Sequence, residues 1–154
     1  MSEAPPDLDA QMIARGLMRA LDRQGWCSLT EVALASGHRA DVMALDEAGR
    51  LLIVEIKSSV ADFRSDQKWR AYLDHCDLFA FAVGPRFPIA ILPAEAGLFV
   101  ADGYEALALR APSAAPAPLA PARRRQLLIR LARLGADRLR RGITDPDDGL
   151  DGGR

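Results

Sequence analysis

The stretch that decides the fold is Arg50-Leu-Leu-Ile-Val-Glu-Ile-Lys57, an apolar run that ends in a carboxylate and an ammonium. Side chains alternate along a strand, which places Glu55 and Lys57 on one face with Leu51 and Ile53, and places Leu52, Val54 and Ile56 on the other. A strand that is apolar on both faces belongs in the middle of a sheet. Burying Glu55 and Lys57 there is costly unless these groups are paired or bind a metal.

The residues before this strand predict a hairpin that brings a second carboxylate beside Glu55. Residues 39–45 form the expected partner strand, and Glu47-Ala48-Gly49 offers a three-residue loop with a left-handed glycine. This register pairs Asp46 with Arg50, Met43 with Ile53, and Asp41 with Glu55, whereas a four-residue loop would shift it by one residue. Opposed Cβ atoms lie about 4.5–5.5 Å apart, so the two carboxylates destabilise each other unless a cation lies between them.

The expected cation is a hard divalent ion. Carboxylate oxygens with no Cys or His ligand favour Mg²⁺ or Mn²⁺, which could lower the pKa of a bound water and neutralise charge on a phosphate. Lys57, on the same face, would orient or help deprotonate that water, or stabilise the charge of the transition state. The chain has 18 arginines but only two lysines, Lys57 and Lys68, both in this segment. That placement favours positions at which an ammonium is required.

The rest of the chain predicts an α/β fold with a central mixed sheet flanked by helices, plus a C-terminal helix. The apolar spacing predicts helices over Asp9–Gln24 and, with Ser65 as N-cap, over Ser65–Cys76. It also predicts the remaining strands, which are Leu78–Val83, Ile89–Leu92, Gly97–Ala101 and Tyr104–Leu109, the last two joined by a turn at Asp102-Gly103.

Composition and charge divide the chain into four expected parts. Residues 1–110 form the main domain, 111–121 an Ala/Pro linker, 122–141 an arginine-rich accessory helix, and 142–154 a disordered acidic tail. The accessory helix carries eight arginines against one acidic residue, Asp137. These arginines could bind phosphates, but the sequence slightly favours a helix that packs Leu127, Leu131 and Leu134 on the domain and leaves the arginines in water.

Overall composition points to an ordinary soluble protein. The 154 residues are 49% hydrophobic and 27% charged, which excludes a disordered chain and a collagen-like chain. The net charge of −1 argues against a general nucleic-acid coat protein. The two cysteines are not spaced for zinc or for a redox dithiol. The acidic first residues do not resemble a signal peptide, and no apolar run is long enough for a spanning helix. We therefore expect a cytoplasmic location without a membrane partner.

Asp41, followed after thirteen residues by Glu55-Ile56-Lys57, resembles the signature of the PD-(D/E)XK nuclease superfamily, which has a restriction-endonuclease-like core. The longer run from 39–42 through 54–59 to 62–69 is similar to the MmcB-like proteins, a bacterial group associated with DNA repair and assigned to that superfamily. The resemblance extends over about residues 10–110. Ala40 stands where the superfamily has proline, which leaves open whether this branch cleaves DNA.

The resemblance implies roles for individual residues. Asp41 and Glu55 would be metal ligands, with the backbone carbonyl of Ile56 as a third, and Lys57 would be the catalytic lysine. Gln67 resembles a helix glutamine that several of these nucleases use near the metal or the DNA backbone, and the neighbouring Lys68 is a further candidate for substrate contact.

Glu31 is an additional candidate that rests on the residues alone. If 26–33 is a strand that forms a hairpin with 39–45, Glu31 would point to the same face as Asp41, although a solvated edge carboxylate is an equal alternative.

The resulting hypothesis is a Mg²⁺- or Mn²⁺-dependent DNA nuclease acting in repair. The alternative is a non-catalytic DNA-binding or adaptor protein of DNA repair that retains the nuclease fold, and a purely structural salt-bridge cluster is a third interpretation of the charged residues. DNA is the expected partner, and the sequence leaves a homodimer and a partner repair protein open.

Overall fold

The computed structural model describes residues 8–144, which form a seven-stranded mixed sheet with helices on both faces. The helices are α1 (Ala10–Arg23), α2 (Val60–Ser65) and α3 (Pro121–Thr144), with 3₁₀ helices at Trp69–His75 and Ile89–Ile91. The strands are β1 (Cys27–Ala33), β2 (Arg39–Leu45), β3 (Leu51–Lys57), β4 (Leu78–Val83), β5 (Gly97–Ala101), β6 (Ala106–Arg110) and β7 (Ser113–Ala114). The predicted α/β class, mixed sheet and C-terminal helix are confirmed.

The strand order in the sheet is β1-β2-β3-β4-β5-β6, with β7 paired to β4. β4 runs parallel to β3 and β5, while β1, β2 and β3 form an antiparallel series. This order places the charged strand β3 in the interior of the sheet and leaves β1 and β6 at its edges.

The β2–β3 turn has the predicted register. Met43 pairs with Ile53 and Leu45 with Leu51, and the Asp46 N–H donates to the Arg50 carbonyl at 3.2 Å. Gly49 has a φ of 85°, as the three-residue loop requires. The Asp46 carboxylate also accepts from the Arg50 N–H at 2.8 Å, which closes the turn.

The two faces of β3 support separate cores. Leu52, Val54 and Ile56 pack with the apolar stripe of α1 on one face. Leu51 and Ile53 pack on the other face with aromatic residues of β4 and the 3₁₀ helix, and with Leu127 and Leu131 of α3. The predicted alternation of faces and the packing role of the α3 leucines are therefore confirmed.

One half-buried ion pair ties α3 to the start of β3. Arg124 donates to both carboxylate oxygens of Asp77, at 2.7 and 2.6 Å, and also to the Gly49 carbonyl at 2.9 Å. Asp77 Oδ2 in turn accepts from the Leu51 N–H at 2.8 Å. Asp77 therefore links the C-terminal helix, the β2–β3 turn and the first residue of β3.

The predicted strand Tyr104–Leu109 runs from Ala106 to Arg110, and three other sequence-based assignments differ from the structure. Ser65 is the last residue of α2 rather than an N-cap, because Ser59 caps an earlier helix by accepting from the Asp62 N–H at 3.0 Å. Residues 66–68 are then irregular, and the predicted helix is a 3₁₀ helix that begins at Trp69. The predicted strand Ile89–Leu92 is a short 3₁₀ helix that follows Pro88.

The C-terminal part follows its predicted outline with shifted ends. Within the predicted linker, Ser113–Ala114 forms β7, and the Ser113 hydroxyl donates to the Phe79 carbonyl at 3.1 Å. α3 extends to Thr144, so residues 142–144 are helical, and the remainder of the predicted tail, 145–154, lies outside the described residues. The division into four parts stays a prediction.

We expect Asp77→Asn to lower the free energy of unfolding at pH 7 by about 2 kcal/mol, because it weakens a bidentate, charge-assisted pair. The Arg124 guanidinium holds the pKa of Asp77 below its usual range. The stability that this ion pair contributes is fully present above the unfolded-state pKa of an aspartate, about 3.9. It is lost as the pH falls through the lower pKa that Asp77 has in the folded state. Stability of the variant should thus depend less on pH below about 4.

Urea unfolding at neutral and acidic pH measures both effects of Asp77→Asn. Glu95→Gln is the matched control, since its ion pair with Arg70 joins side chains that are 58% and 69% exposed. Such exposed pairs contribute at most about 1 kcal/mol. Equal losses in the two variants would contradict the anchoring role of Asp77.

We expect Gly16→Ala to destabilise the protein by about 1–3 kcal/mol, although alanine favours helices. A Cβ at Gly16 would collide with the backbone carbonyl oxygens of Asp102 and Glu105, where α1 packs on the β5–β6 turn. Gly135→Ala is the control, because its Cβ would meet Leu29 at an ordinary 3.7 Å. The Gly135→Ala variant should have an unchanged or higher midpoint of thermal unfolding. An equal loss of stability in both variants would refute the close approach of α1 to the β5–β6 turn.

Candidate functional site: a buried carboxyl pair and lysine

The candidate site lies at the end of the β2–β3 hairpin, where the two strands stop pairing through their backbones. The last paired residues are Val42 and Val54. Beyond them, Asp41 Oδ2 accepts from the Ile56 N–H at 2.8 Å, so a side chain takes the place of a backbone acceptor. Asp41 is thereby fixed next to the strand that carries Glu55 and Lys57.

Glu55 is an unusual buried acid. Only 4% of the residue is exposed, and its Oε2 atom has no hydrogen-bond partner among the described residues. Burial, followed by the hydrogen bond and charge of Asp41, raises the pKa of Glu55 to about 10, while the Lys57 charge opposes this shift. The predicted proximity of the two carboxyl groups is therefore present, and burial together with the Asp41 carboxyl favours the neutral form of Glu55.

Lys57 is more deeply buried, with 2% of its side chain exposed. Its Nζ lies 3.2 Å from Asp66 Oδ2. Asp66 follows α2, and its side chain is 43% exposed. Against the effect of burial, the hydrogen bond from the Lys68 backbone N–H and the positive charge of Lys57 hold its pKa below the usual range. The ammonium therefore lies at the site and has an internal counterion.

Tyr72 closes the site from the side of the 3₁₀ helix. Its hydroxyl donates to the Arg39 carbonyl at 3.0 Å, and its pKa is raised by burial and by the adjacent Glu55 carboxyl. The rings of His38 and Tyr72 are arranged edge to face, with 5.9 Å between their centroids. The carboxyl pair thus has an aromatic wall on one side.

The other predicted residues have different surroundings. Gln67 is exposed and donates to the Phe63 carbonyl at 2.7 Å, while Lys68 is exposed beside Asp66. Glu31 in β1 lies opposite Asp41, in the gap between two paired positions of β1 and β2, and its φ is 50°. It lines a groove beside α3 instead of joining the carboxyl pair. Ile56 is engaged through its N–H, and a metal-binding role for its carbonyl stays a prediction.

Sequence reasoning missed Asp66 and Tyr72 as members of the site. With Ser65 as the predicted N-cap, Asp66 falls in the first turn of the predicted helix, and Tyr72 falls on its apolar stripe and does lie in the core. The missed signal was Ser59-Val60-Ala61-Asp62, a capping-box pattern in which the Asp62 carboxylate accepts from the Ser58 N–H at 3.3 Å. This signal moves the predicted helix start to Val60, whereas the end of α2 at Ser65, which lets Asp66 reach Lys57, has no such local signal.

The donor set fits a hard cation held by two carboxylates. Glu55 provides a buried oxygen without a partner, and the neighbouring Asp41 provides a second carboxylate. Within residues 8–144, no three His, Cys, Asp or Glu side chains are grouped to hold a metal. Mg²⁺ nevertheless commonly uses one or two carboxylates and completes its shell with water and substrate phosphate.

Fold and site together define a mixed α/β protein with a buried carboxyl–lysine cluster at the open end of a central hairpin. A family model described as "DNA repair protein MmcB-like" matches residues 5–145, so the chain belongs to the MmcB-like family of DNA repair proteins. It is also similar to a solved structure, SPO1766, a protein of unknown function from Silicibacter pomeroyi. The identity is 43%, the TM-score is 0.82, and the match covers 96% of this chain and 100% of that one.

A search of curated proteins found no significant match. No helix in the described range is both long enough and apolar enough to cross a membrane.

Two substitutions separate a functional carboxyl pair from a structural ion-pair cluster. Glu55→Gln keeps the shape of the side chain and removes an acid that has an unpaired oxygen, so stability without metal should be unchanged or higher. Asp66→Asn removes the counterion of a buried ammonium and should cost about 1–3 kcal/mol. Urea unfolding at pH 7 compares them. A larger loss for Glu55→Gln would mean that Glu55 serves to neutralise Lys57.

Proposed function

We propose that the protein is a Mg²⁺- or Mn²⁺-dependent DNA nuclease of repair, with a site of the PD-(D/E)XK type. The observation that carries this proposal is the buried, unpartnered Oε2 of Glu55 beside the Asp41 carboxyl. A buried acid pair of this kind destabilises the fold when it stands alone, and a divalent cation offsets that cost. Membership in a family of DNA repair proteins supports DNA as the substrate.

In this proposal Asp41 and Glu55 hold the cation, and the Ile56 carbonyl is a further candidate ligand. When bound, the cation supplies a water of lowered pKa and neutralises charge on a phosphodiester. Lys57 stabilises the negative charge that develops on the phosphate or orients the water. Asp66 is the positioning residue, since its carboxylate lies 3.2 Å from the Lys57 ammonium.

Burial also contributes to the proposed chemistry. Glu55 and Lys57 project from a strand whose seven residues are all buried. Charges act more strongly on one another in such an environment than in water. The Tyr72 ring excludes water from one side of the pair, so a phosphate at the open end of the hairpin would face a preorganised set of charges.

A non-catalytic DNA-binding or adaptor protein of DNA repair is the second candidate, and a specific observation favours it. Lys57 and Gln67, two of the candidate site residues, are both engaged internally, the first with Asp66 and the second with the Phe63 carbonyl. Ala40 in place of the superfamily's proline points in the same direction. In this case DNA binding would persist after the carboxylates are removed.

Calorimetric titration with Mn²⁺ tests the metal site directly. We expect saturable binding to the wild type and none to Asp41→Asn/Glu55→Gln. Asp22→Asn/Glu47→Gln is the matched control, because it neutralises two exposed carboxylates outside the site and should bind like the wild type. Absence of Mn²⁺ binding to the wild type would contradict the metal role.

Cleavage assays with single-stranded, duplex and branched DNA then test the reaction. Lys57→Met should retain Mn²⁺ binding and lose cleavage by a factor of about 10² or more, as expected for a group that stabilises transition-state charge. Unchanged cleavage in this variant would refute the role of Lys57. Mn²⁺ binding and DNA binding without cleavage of any substrate would favour the second candidate.

A further inference from the structure

A groove of about 1160 Å³ lies between α3 and the edge strand β1, on the face of the sheet that α3 covers. Its lining includes six arginines against two acidic residues, Glu31 and Asp137. The arginines are Arg39, Arg123, Arg130, Arg133, Arg138 and Arg140. A chain with a net charge of −1 therefore concentrates positive charge in one concave surface.

The position of these arginines follows from the helix repeat. Leu127 and Leu131 are buried against the domain, which turns Arg130 and Arg133 toward the mouth of the groove. Both arginines are exposed, and neither has an ion-pair or hydrogen-bond partner in the described part of the chain. Leu127 and Leu134 line the same groove, so α3 packs its leucines on the domain and presents these arginines beside them. Both interpretations of α3 that the sequence left open are therefore compatible.

Two other arginines of the groove donate hydrogen bonds to backbone carbonyls outside α3. Arg138 donates to the Glu31 carbonyl of β1 at 3.2 Å, and Arg123 donates to the Asp74 carbonyl at 3.2 Å. These bonds connect α3 to β1 at one end and to the 3₁₀ helix that contains Asp74 at the other. From Arg123 to Arg140 the helix rises by about 25 Å, the length of roughly seven base pairs of duplex DNA.

We propose that this groove binds the phosphate backbone of duplex DNA, independently of sequence, beside the carboxyl–lysine site. Arginine pairs with phosphate through its planar fork of donors. The described lining contains no Phe, Tyr or Trp on which an unpaired base could stack, which favours a duplex backbone over single-stranded DNA. The choice of DNA as the polyanion rests on the proposed function.

Arg39 connects the groove to the candidate site. Its side chain lines the groove, and its carbonyl accepts from the Tyr72 hydroxyl, which borders Glu55. A duplex held along α3 would therefore pass the open end of the β2–β3 hairpin. The groove anchors the DNA, while the carboxyl pair meets one phosphodiester.

Fluorescence anisotropy with a labelled, mixed-sequence duplex in EDTA tests the groove without the metal. We expect Arg130→Ala/Arg133→Ala to weaken binding by about tenfold or more near 0.1 M salt and to reduce the slope of log affinity against log salt by about two. Arg15→Ala/Arg19→Ala is the matched control, since it removes two exposed arginines from α1 on the opposite face of the sheet. Equal thermal unfolding of the variants confirms that each is folded.

The control variant should bind DNA within about twofold of the wild type. Equal losses in both double variants, no loss in the groove variant, or no binding of DNA by the wild type at low salt would each overturn the proposal. Asp41→Asn/Glu55→Gln should keep its affinity in EDTA, and Arg130→Ala/Arg133→Ala should keep its Mn²⁺ binding. These two measurements distinguish a groove that does not bind DNA from a carboxyl site that does not bind metal.

Discussion

The closure of the β2–β3 turn is the constraint on which the rest of the structure depends. Asp46 and Gly49 set a three-residue loop, and the loop sets which residues of the two strands face each other. A shift of one residue would move Glu55 and Lys57 to the α1 face and bring apolar side chains into their place. Arg124 binds the Gly49 carbonyl, so the C-terminal helix is fastened to this same turn.

The central hairpin could be predicted because its information is local. A glycine three residues after Asp46 determines the loop, and strict alternation in β3 determines the faces, so the nearness of Asp41 to Glu55 followed without knowledge of the remaining fold. The counterion of Lys57 was not predictable in this way. Asp66 reaches it only because α2 ends early, and that ending depends on tertiary packing around Phe63 and Trp69.

The apolar pattern was less informative where backbone geometry is set by proline or by distant contacts. Ile89–Ile91 is apolar like a strand, yet it follows Pro88 and forms a short 3₁₀ helix in which Ile89 and Ile91 are 39% and 37% exposed. β7 has only two residues, and it exists because Ser113 meets Phe79, which is 34 positions away. Neither outcome has a signature in a short sequence window.

The left-handed backbone conformation of Glu31, in the edge strand β1, has a consequence for association between chains. An edge strand is a template for another strand, and a left-handed residue in its middle breaks the straight row of donors and acceptors that such addition needs. Arg138 already occupies the Glu31 carbonyl of this strand. The opposite edge strand, β6, pairs regularly with β5 over residues 106–108, has a bulge at Leu109, and exposes Leu107 and Leu109 at 66% and 48%. Each edge of the sheet therefore contains one backbone irregularity, which limits the length over which an added strand can pair.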